Sequence, residues 1–120
     1  MKGGLGEIQE KTSEKDIEML QAVEKILVEN FMSPFPSVEK LSKIALMSES
    51  KLKKLFKQSY SMGLYEYFQK NRLHKAKDLI LSEKHSISEV GLMLGYQNLS
   101  NFSSSFRREF NCLPSEIEKF

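Results

Sequence analysis

Apolar residues recur along this chain at intervals of three and four, the period of helices buried on one face. No stretch alternates with the period of two that a half-buried strand requires. Ile17, Leu20, Val23 (or Glu24), Ile26, Leu27 and Phe31 trace the inward face of a first helix. Ser13 with Asp16 three residues on is an approximate capping box at its start. Pro34 and Pro36 end it, since each lacks an amide donor and restricts the residue before it.

From Ser37 the pattern breaks into short helices. Ser37 caps one that carries Val38, Leu41, Ile44 and Ala45 on one face, and Ser48 caps the next, with Leu52, Leu55, Phe56 and Tyr60 inward. A turn at Ser61–Gly63 leads into a longer helix over 64–82, whose inward face is Tyr67 or Phe68, Leu73 or Asn71, Ala76, Leu79 and Ile80. Ser86 with Glu89 is a full capping box before Ile87, Val90, Met93 and Leu94, and Gly95 stops that helix. Asn98 begins another, with Leu99, Phe102, Phe106 and Phe110 inward, and Pro114 suits the first turn of a short last one. The expectation is an all-α chain of about seven helices.

The chain also repeats itself. Val38, Leu41, Ser42, Ile44 and Ala45 match Ile87, Val90, Gly91, Met93 and Leu94 at an offset of 49. Leu52, Phe56, Lys57 and Tyr60 match Phe102, Phe106, Arg107 and Phe110 at an offset of 50, one extra residue falling in the second turn. Each unit is a short helix, a tight turn and a longer helix, with Ser42 or Gly91 as the small residue that lets the pair cross closely. That is the anatomy of a helix-turn-helix, at 38–60 and again at 87–110, whose second helix can enter a major groove. The 19 residues of the helix over 64–82 would span roughly 28 Å, and successive major grooves recur every ~34 Å. Two recognition helices joined by such a linker could therefore meet adjacent grooves.

The exposed faces of the two second helices carry the candidate chemistry. The first offers Glu49, Ser50, Lys53, Lys54 and Lys57; the second offers Gln97, Asn98, Ser100, Asn101, Ser104, Arg107 and Arg108. Short polar side chains near a helix start can reach base edges, and Asn or Gln can pair with adenine in two places. Lys and Arg one turn later suit phosphate oxygens.

Composition adds a bias rather than an identity. Hydrophobic residues at 40% and charged residues at 28% fit an ordinary globular chain of 120 residues, one domain by length. The net charge of +2 divides into −3 over residues 1–30 and +5 over residues 31–120, so the basic surplus lies with the repeated units. No apolar run approaches the ~20 residues of a membrane span, and no cleavable signal pattern opens the chain. The lone Cys112 fits a reducing compartment, so the expected location is the cytoplasm.

Gly95-Tyr96-Gln97-Asn98-Leu99-Ser100-Asn101-Phe102, followed by Phe106-Arg107-Arg108 and Phe110, resembles the signature of AraC/XylS-type transcription regulators. Met47-Ser48, Leu52, Phe56-Lys57 and Arg72-Leu73 with Ala76 are similar to the first unit and linker helix of that family, so the resemblance covers nearly all of residues 15–120. Gly3, Gly4 and Gly6 without an apolar period make residues 1–13 a flexible lead-in, and the resemblance implies a two-unit bacterial domain over 14–120. It also implies that the domain binds double-stranded DNA sequence-specifically in adjacent major grooves and contacts RNA polymerase. On this footing Glu49, Ser50, Lys53, Lys54, Asn98, Ser100, Asn101 and Ser104 are base-contact candidates, and Ser48, Lys51, Lys57, Gln97, Arg107 and Arg108 are phosphate-contact candidates. The family usually has Arg where Ser104 stands, Gly at the positions of Ser61 and Asn111, and hydroxyl caps at the positions of Gly63 and Leu113. The lead-in leaves no room for the sensory domain that many members carry; a stand-alone regulator and the carboxy-terminal piece of a longer chain both stay open, with Gly3-Gly4 and the ending at Phe120 favouring the second.

Plainer readings stand beside these. Phe102, Phe106 and Phe110 lie at helical spacing and read as core, not as a stacking platform. A Lys run on a helix is ordinarily a solvated face, and only its place in a helix-turn-helix turns Lys51, Lys53, Lys54 and Lys57 toward DNA. Arg72 reads as structural, paired with a carboxylate inside the fold, and His74 as facing solvent. His74 and His85 are eleven apart and Cys112 is remote, which is no metal-ligand spacing. With no phosphate loop, nucleophile elbow or catalytic acid pair, the expectation is a non-enzyme without catalytic residues, metal, cofactor, membrane contact or small-molecule ligand in this segment. The competing reading is a helix-turn-helix scaffold that binds a protein partner, supported by Ser104 and the modest charge.

Overall fold

A computed structural model of the chain describes residues 12–117. The expected lead-in lies outside the described residues except for Thr12 and Ser13, as do the last three residues of the expected domain. In order come α1 (Glu14–Glu29), α2 (Val38–Ala45), α3 (Glu49–Tyr60), α4 (Leu64–Leu81), α5 (Ile87–Met93), α6 (Leu99–Phe110) and a terminal 3-10 helix (Pro114–Glu116). The described residues contain helices and no strand. Seven helical elements are present, but the last closes as a single 3-10 turn. Leu113 has no side-chain acceptor to cap it, and only Glu116 reaches back to the Leu113 amide, at 2.7 Å.

The described chain divides into two compact units, residues 12–25 with 36–64 and residues 26–35 with 65–117. In the first, α2 packs on α3. Its buried residues are Leu20 and Val23 of α1, Leu41, Ser42 and Ala45 of α2, Leu52, Leu55 and Phe56 of α3, and Leu64. Ser42 fits this apolar setting because its hydroxyl donates to the Glu39 carbonyl at 2.8 Å. The turn between the helices holds Leu46 at φ 57, in the left-handed region, with its side chain 72% exposed.

In the second unit Leu73, Ala76 and Ile80 of α4 form one cluster with Val90, Leu94, Phe102 and Phe106. Phe102 and Phe106 meet edge to face with centroids 5.9 Å apart, and Phe110 continues the stripe 4.6 Å from Phe106. Gly91 is where α5 meets α6: a Cβ there would stand 3.1 Å from the Phe102 ring. The α5–α6 turn passes through Gly95 at φ 88, the position that matches Leu46 in the first repeat. Arg72 of α4 clamps this turn. Its Nη2 donates to the Leu94 carbonyl, Nη1 donates to Gln69 Oε1 at 3.2 Å, and its charge lies 5.2 Å from the Phe68 and Tyr96 ring centres. Arg72 is thus structural, as expected, but its partners are a backbone carbonyl, the Gln69 side-chain oxygen and two rings rather than a carboxylate.

Several expected faces turn differently. Phe68 is fully buried while Tyr67 is half-buried, and Leu73 rather than Asn71 enters the core. Ile17 is exposed because it sits in the first turn of α1, ahead of the buried stripe. Ile44 is exposed because α2 buries the arc of Leu41, Ser42 and Ala45, and two residues past Ser42 is about 200° round a helix. Leu99, the first residue of α6, is exposed rather than inward. His74 is exposed yet engaged: Nε2 lies 3.1 Å from Glu109 Oε2 and its ring meets Phe110 edge-on at 4.9 Å.

Two substitutions test the turns and crossings. Leu46→Gly removes left-handed strain from an exposed residue and is expected to stabilise the chain by about 0.5–1 kcal/mol in denaturant titrations. Gly91→Val forces branched methyls against the Phe102 ring and is expected to destabilise it by about 1–3 kcal/mol in the same assay.

Candidate nucleic-acid interface

The second helices of the two repeats are built alike in length, cap and ending. α3 and α6 are both 12 residues long. Ser48 caps α3 by accepting from the Lys51 amide at 3.1 Å, and Asn98 caps α6 by accepting from the Asn101 amide at 2.8 Å. Each helix ends on a left-handed residue, Ser61 at φ 66 and Asn111 at φ 61, whose amide donates to the carbonyl of Lys57 or Arg107. These two residues take the conformation for which glycine is the usual choice. Within each helix the apolar side faces its own core, through Leu52, Leu55 and Phe56 or Phe102 and Phe106. The opposite side is necessarily polar and open.

On α3 that side exposes Glu49, Ser50, Lys53, Lys54 and Lys57. Ser50, Lys53, Lys54 and Lys57 line one shallow concavity together with Gln58. Lys51 does not join them: its Nζ lies 3.5 Å from Asp16 Oδ2, an ion pair back to α1. Asp16 is doubly used, its carboxylate also taking part in the cap at Ser13. At the far end of α3, burial raises the Tyr60 phenol above its ordinary range, with the Glu24 carboxylate adding to the shift.

On α6 the open side holds Ser100, Asn101, Ser104, Arg107 and Arg108, all exposed, with Gln97 and Asn98 exposed in the turn before it. Asn101, Ser104 and Arg108 follow one helical row, and Ser100, Ser104 and Arg107 a neighbouring one. Arg107 and Arg108 occupy the last turn, where their charge also favours the helix dipole. Asn98 has a prior commitment, since its Oδ1 is the cap acceptor, and a two-point contact with adenine would require that atom again. Ser48 is similarly engaged through Oγ. The structure thus gathers Ser50, Lys53, Lys54 and Lys57 on one face, and Ser100, Asn101, Ser104 and Arg108 on another. It assigns Lys51, Ser48 and Asn98 structural contacts besides.

Leu99 was hidden from the periodicity, which counts it inward with Phe102. The repeat offers the missing signal, because the offset of 50 sets Leu99 opposite exposed Glu49. Leu99 and Leu92, 46% and 66% exposed, line a depression with Ser88, Gly91, Tyr96, Gln97 and Asn98. Among the described residues no group of His, Cys, Asp and Glu could hold a metal ion, and no helix is long and apolar enough to cross a membrane.

A family model described as a helix-turn-helix domain matches residues 41–119. The probable transcriptional regulator LumQ of Photobacterium leiognathi is 31% identical over 111 residues, covering 89% of this chain and 44% of its own length. The transcriptional activator RhaR of Mannheimia succiniciproducens is 29% identical over 108 residues, covering 90% of this chain and 39% of its own. The chain therefore spans less than half the length of these curated relatives. Among solved structures, an AraC-type transcriptional regulator of Chromobacterium violaceum superposes with a TM-score of 0.76 at 27% identity, over 87% of this chain and 92% of that one. The DNA-binding domain of AdpA, solved in complex with a target DNA, shares the fold with a TM-score of 0.71 at 23% identity, over 80% and 86% of the two chains.

The caps can be tested apart from any ligand. Asn98→Ala is expected to cost about 1 kcal/mol of stability, while Asn98→Ser stays within a few tenths of the parent, measured by thermal unfolding.

Proposed function

Because this chain belongs to the AraC-type helix-turn-helix family, we propose that it binds double-stranded DNA sequence-specifically and regulates transcription. Its α3 and α6 each enter the major groove, at adjacent half-sites. The observation that carries this reading is the pair of matched second helices, each capped and buried on one side and polar or basic on the other. The solved DNA complex of AdpA, a fold relative, supports the same use of the scaffold.

Roles follow from position and chemistry. Ser50, Lys53 and Lys54 of α3, with Glu49 at its first turn, read base edges, and Lys57 one turn on holds phosphate. On α6, Ser100, Asn101 and Ser104 read bases, while Gln97, Arg107 and Arg108 bind phosphate oxygens. Lys51 reaches a phosphate only by leaving Asp16, and Ser48 and Asn98 contribute mainly by holding the first turns in shape. Ser104 is too short to span the distance an Arg would cover, so α6 depends on close approach. Contact with RNA polymerase belongs to the regulatory role proposed here and would use surface away from these two faces.

Selection of bound sequences from a randomised duplex pool, at low and at moderate salt, tests the reading directly. A site with two unequal blocks about one helical turn apart is expected, with affinity falling steeply as salt rises and counterions are released. No enrichment by folded protein would sink it and favour the protein-partner alternative. Lys53→Ala is expected to relax preference by about 1–3 kcal/mol within one block only; a uniform loss across all sequences would make Lys53 a phosphate contact instead.

A further inference from the structure

The two repeats differ in chemistry at the first residue of their second helices. The residue after the cap is Glu49 in α3 and Leu99 in α6. Both helices have the same length, the same cap bond to their third residue and the same left-handed end, so these side chains hold the same station on their own helices. Each is followed by a serine, Ser50 or Ser100, on the exposed side.

Leu99 gains little from the fold in which it sits. It is 46% exposed, outside the apolar cluster of its unit, and it forgoes the favourable interaction that an acidic residue has with a helix N-terminus. It is not an isolated surface leucine, because Leu92 and Tyr96 border the same depression. Further along, α6 carries Ser103 and Ser104 where α3 carries Lys53 and Lys54. Short side chains there let the first turn of α6 come close to whatever it meets.

In the major groove, cytosine presents an N4 amino donor and thymine a C5 methyl group. A carboxylate suits the first and an aliphatic side chain the second. We infer that Leu99 is a specificity-determining residue that packs on the C5 methyl of a thymine in the half-site of α6. Glu49 accepts from the N4 amino group of a cytosine in the half-site of α3. Two units with nearly the same backbone thereby require unequal half-sites. This inference rests on the duplex-binding reading above and adds the base that one residue selects.

The experiment uses the full chain and the duplex recovered by selection. Each thymine in turn is replaced by deoxyuridine, which removes the C5 methyl and leaves every hydrogen-bonding group in place. One replacement is expected to weaken binding about fourfold, the value of one buried methyl. Leu99→Ala should bind the thymine and uracil forms of that position equally. Leu99→Glu should move the preference at that base pair from thymine to cytosine. Thermal unfolding of both variants should match the parent within a few degrees, as the replaced side chain is exposed. The inference is overturned if no uracil replacement weakens binding, or if the penalty is the same in Leu99→Ala as in the parent. A pool that yields no preferred duplex overturns the duplex-binding reading itself, whereas a preferred duplex without a Leu99-dependent methyl overturns this inference alone.

Discussion

The second helix-turn-helix depends on how near the Phe102 ring lies to Gly91. With 3.1 Å from that ring to where a Cβ would stand, any side chain at this position would have to push the Phe102 ring back by a few tenths of an ångström, and glycine lets the two helices keep their spacing without that shift. With Phe102 seated there, Phe106 one turn on joins the same buried cluster as Leu73, Ala76 and Ile80, and the rotation of α6 about its own axis is set. Burial of one side fixes the other. Ser100, Asn101, Ser104 and Arg108 become the open face because the aromatic stripe has taken the closed one.

The turn between the helices must deliver α6 at that angle, and the two repeats meet the same backbone demand with different residues. Gly95 takes a left-handed conformation without steric cost, and Arg72 holds the preceding Leu94 carbonyl from below. Leu46 takes the same conformation with a side chain that is largely exposed, so strain is tolerated there without any packing return. A left-handed residue at the matched position is thus common to both turns, although the second is one residue longer, and residue choice changes what that conformation costs.

Electrostatics divides the polar face further than charge counting suggests. Lys51 belongs to the same lysine run as Lys53 and Lys54, yet its ammonium lies against Asp16. That pair is partly exposed and of modest worth, but it directs one cation toward α1 and away from the face shared by Ser50, Lys53 and Lys57. Asn98 and Ser48 show the parallel effect for hydrogen bonds. A cap acceptor satisfies an otherwise orphaned helix amide, so its oxygen is in use before any ligand arrives.

Local spacing was enough to place the helices, the caps at Ser37, Ser48, Ser86 and Asn98, the duplicated motif and the small residue at each crossing. Those features depend on residues three or four apart, or on a repeat offset, and both are written in order along the chain. The exposure of Ile17, Ile44 and Leu99 could not be read that way. Helical periodicity gives the direction of a side chain but not how far the neighbouring element extends to cover it, and at helix ends the cover runs out. Arg72 and Lys51 make the same point for polar groups. Their charge is evident from the chain, but their partners, the Leu94 carbonyl and Asp16, lie 22 and 35 residues away in sequence. Only packing brings such groups together, since the free energy that selects a partner depends on distance in space and not on distance along the chain.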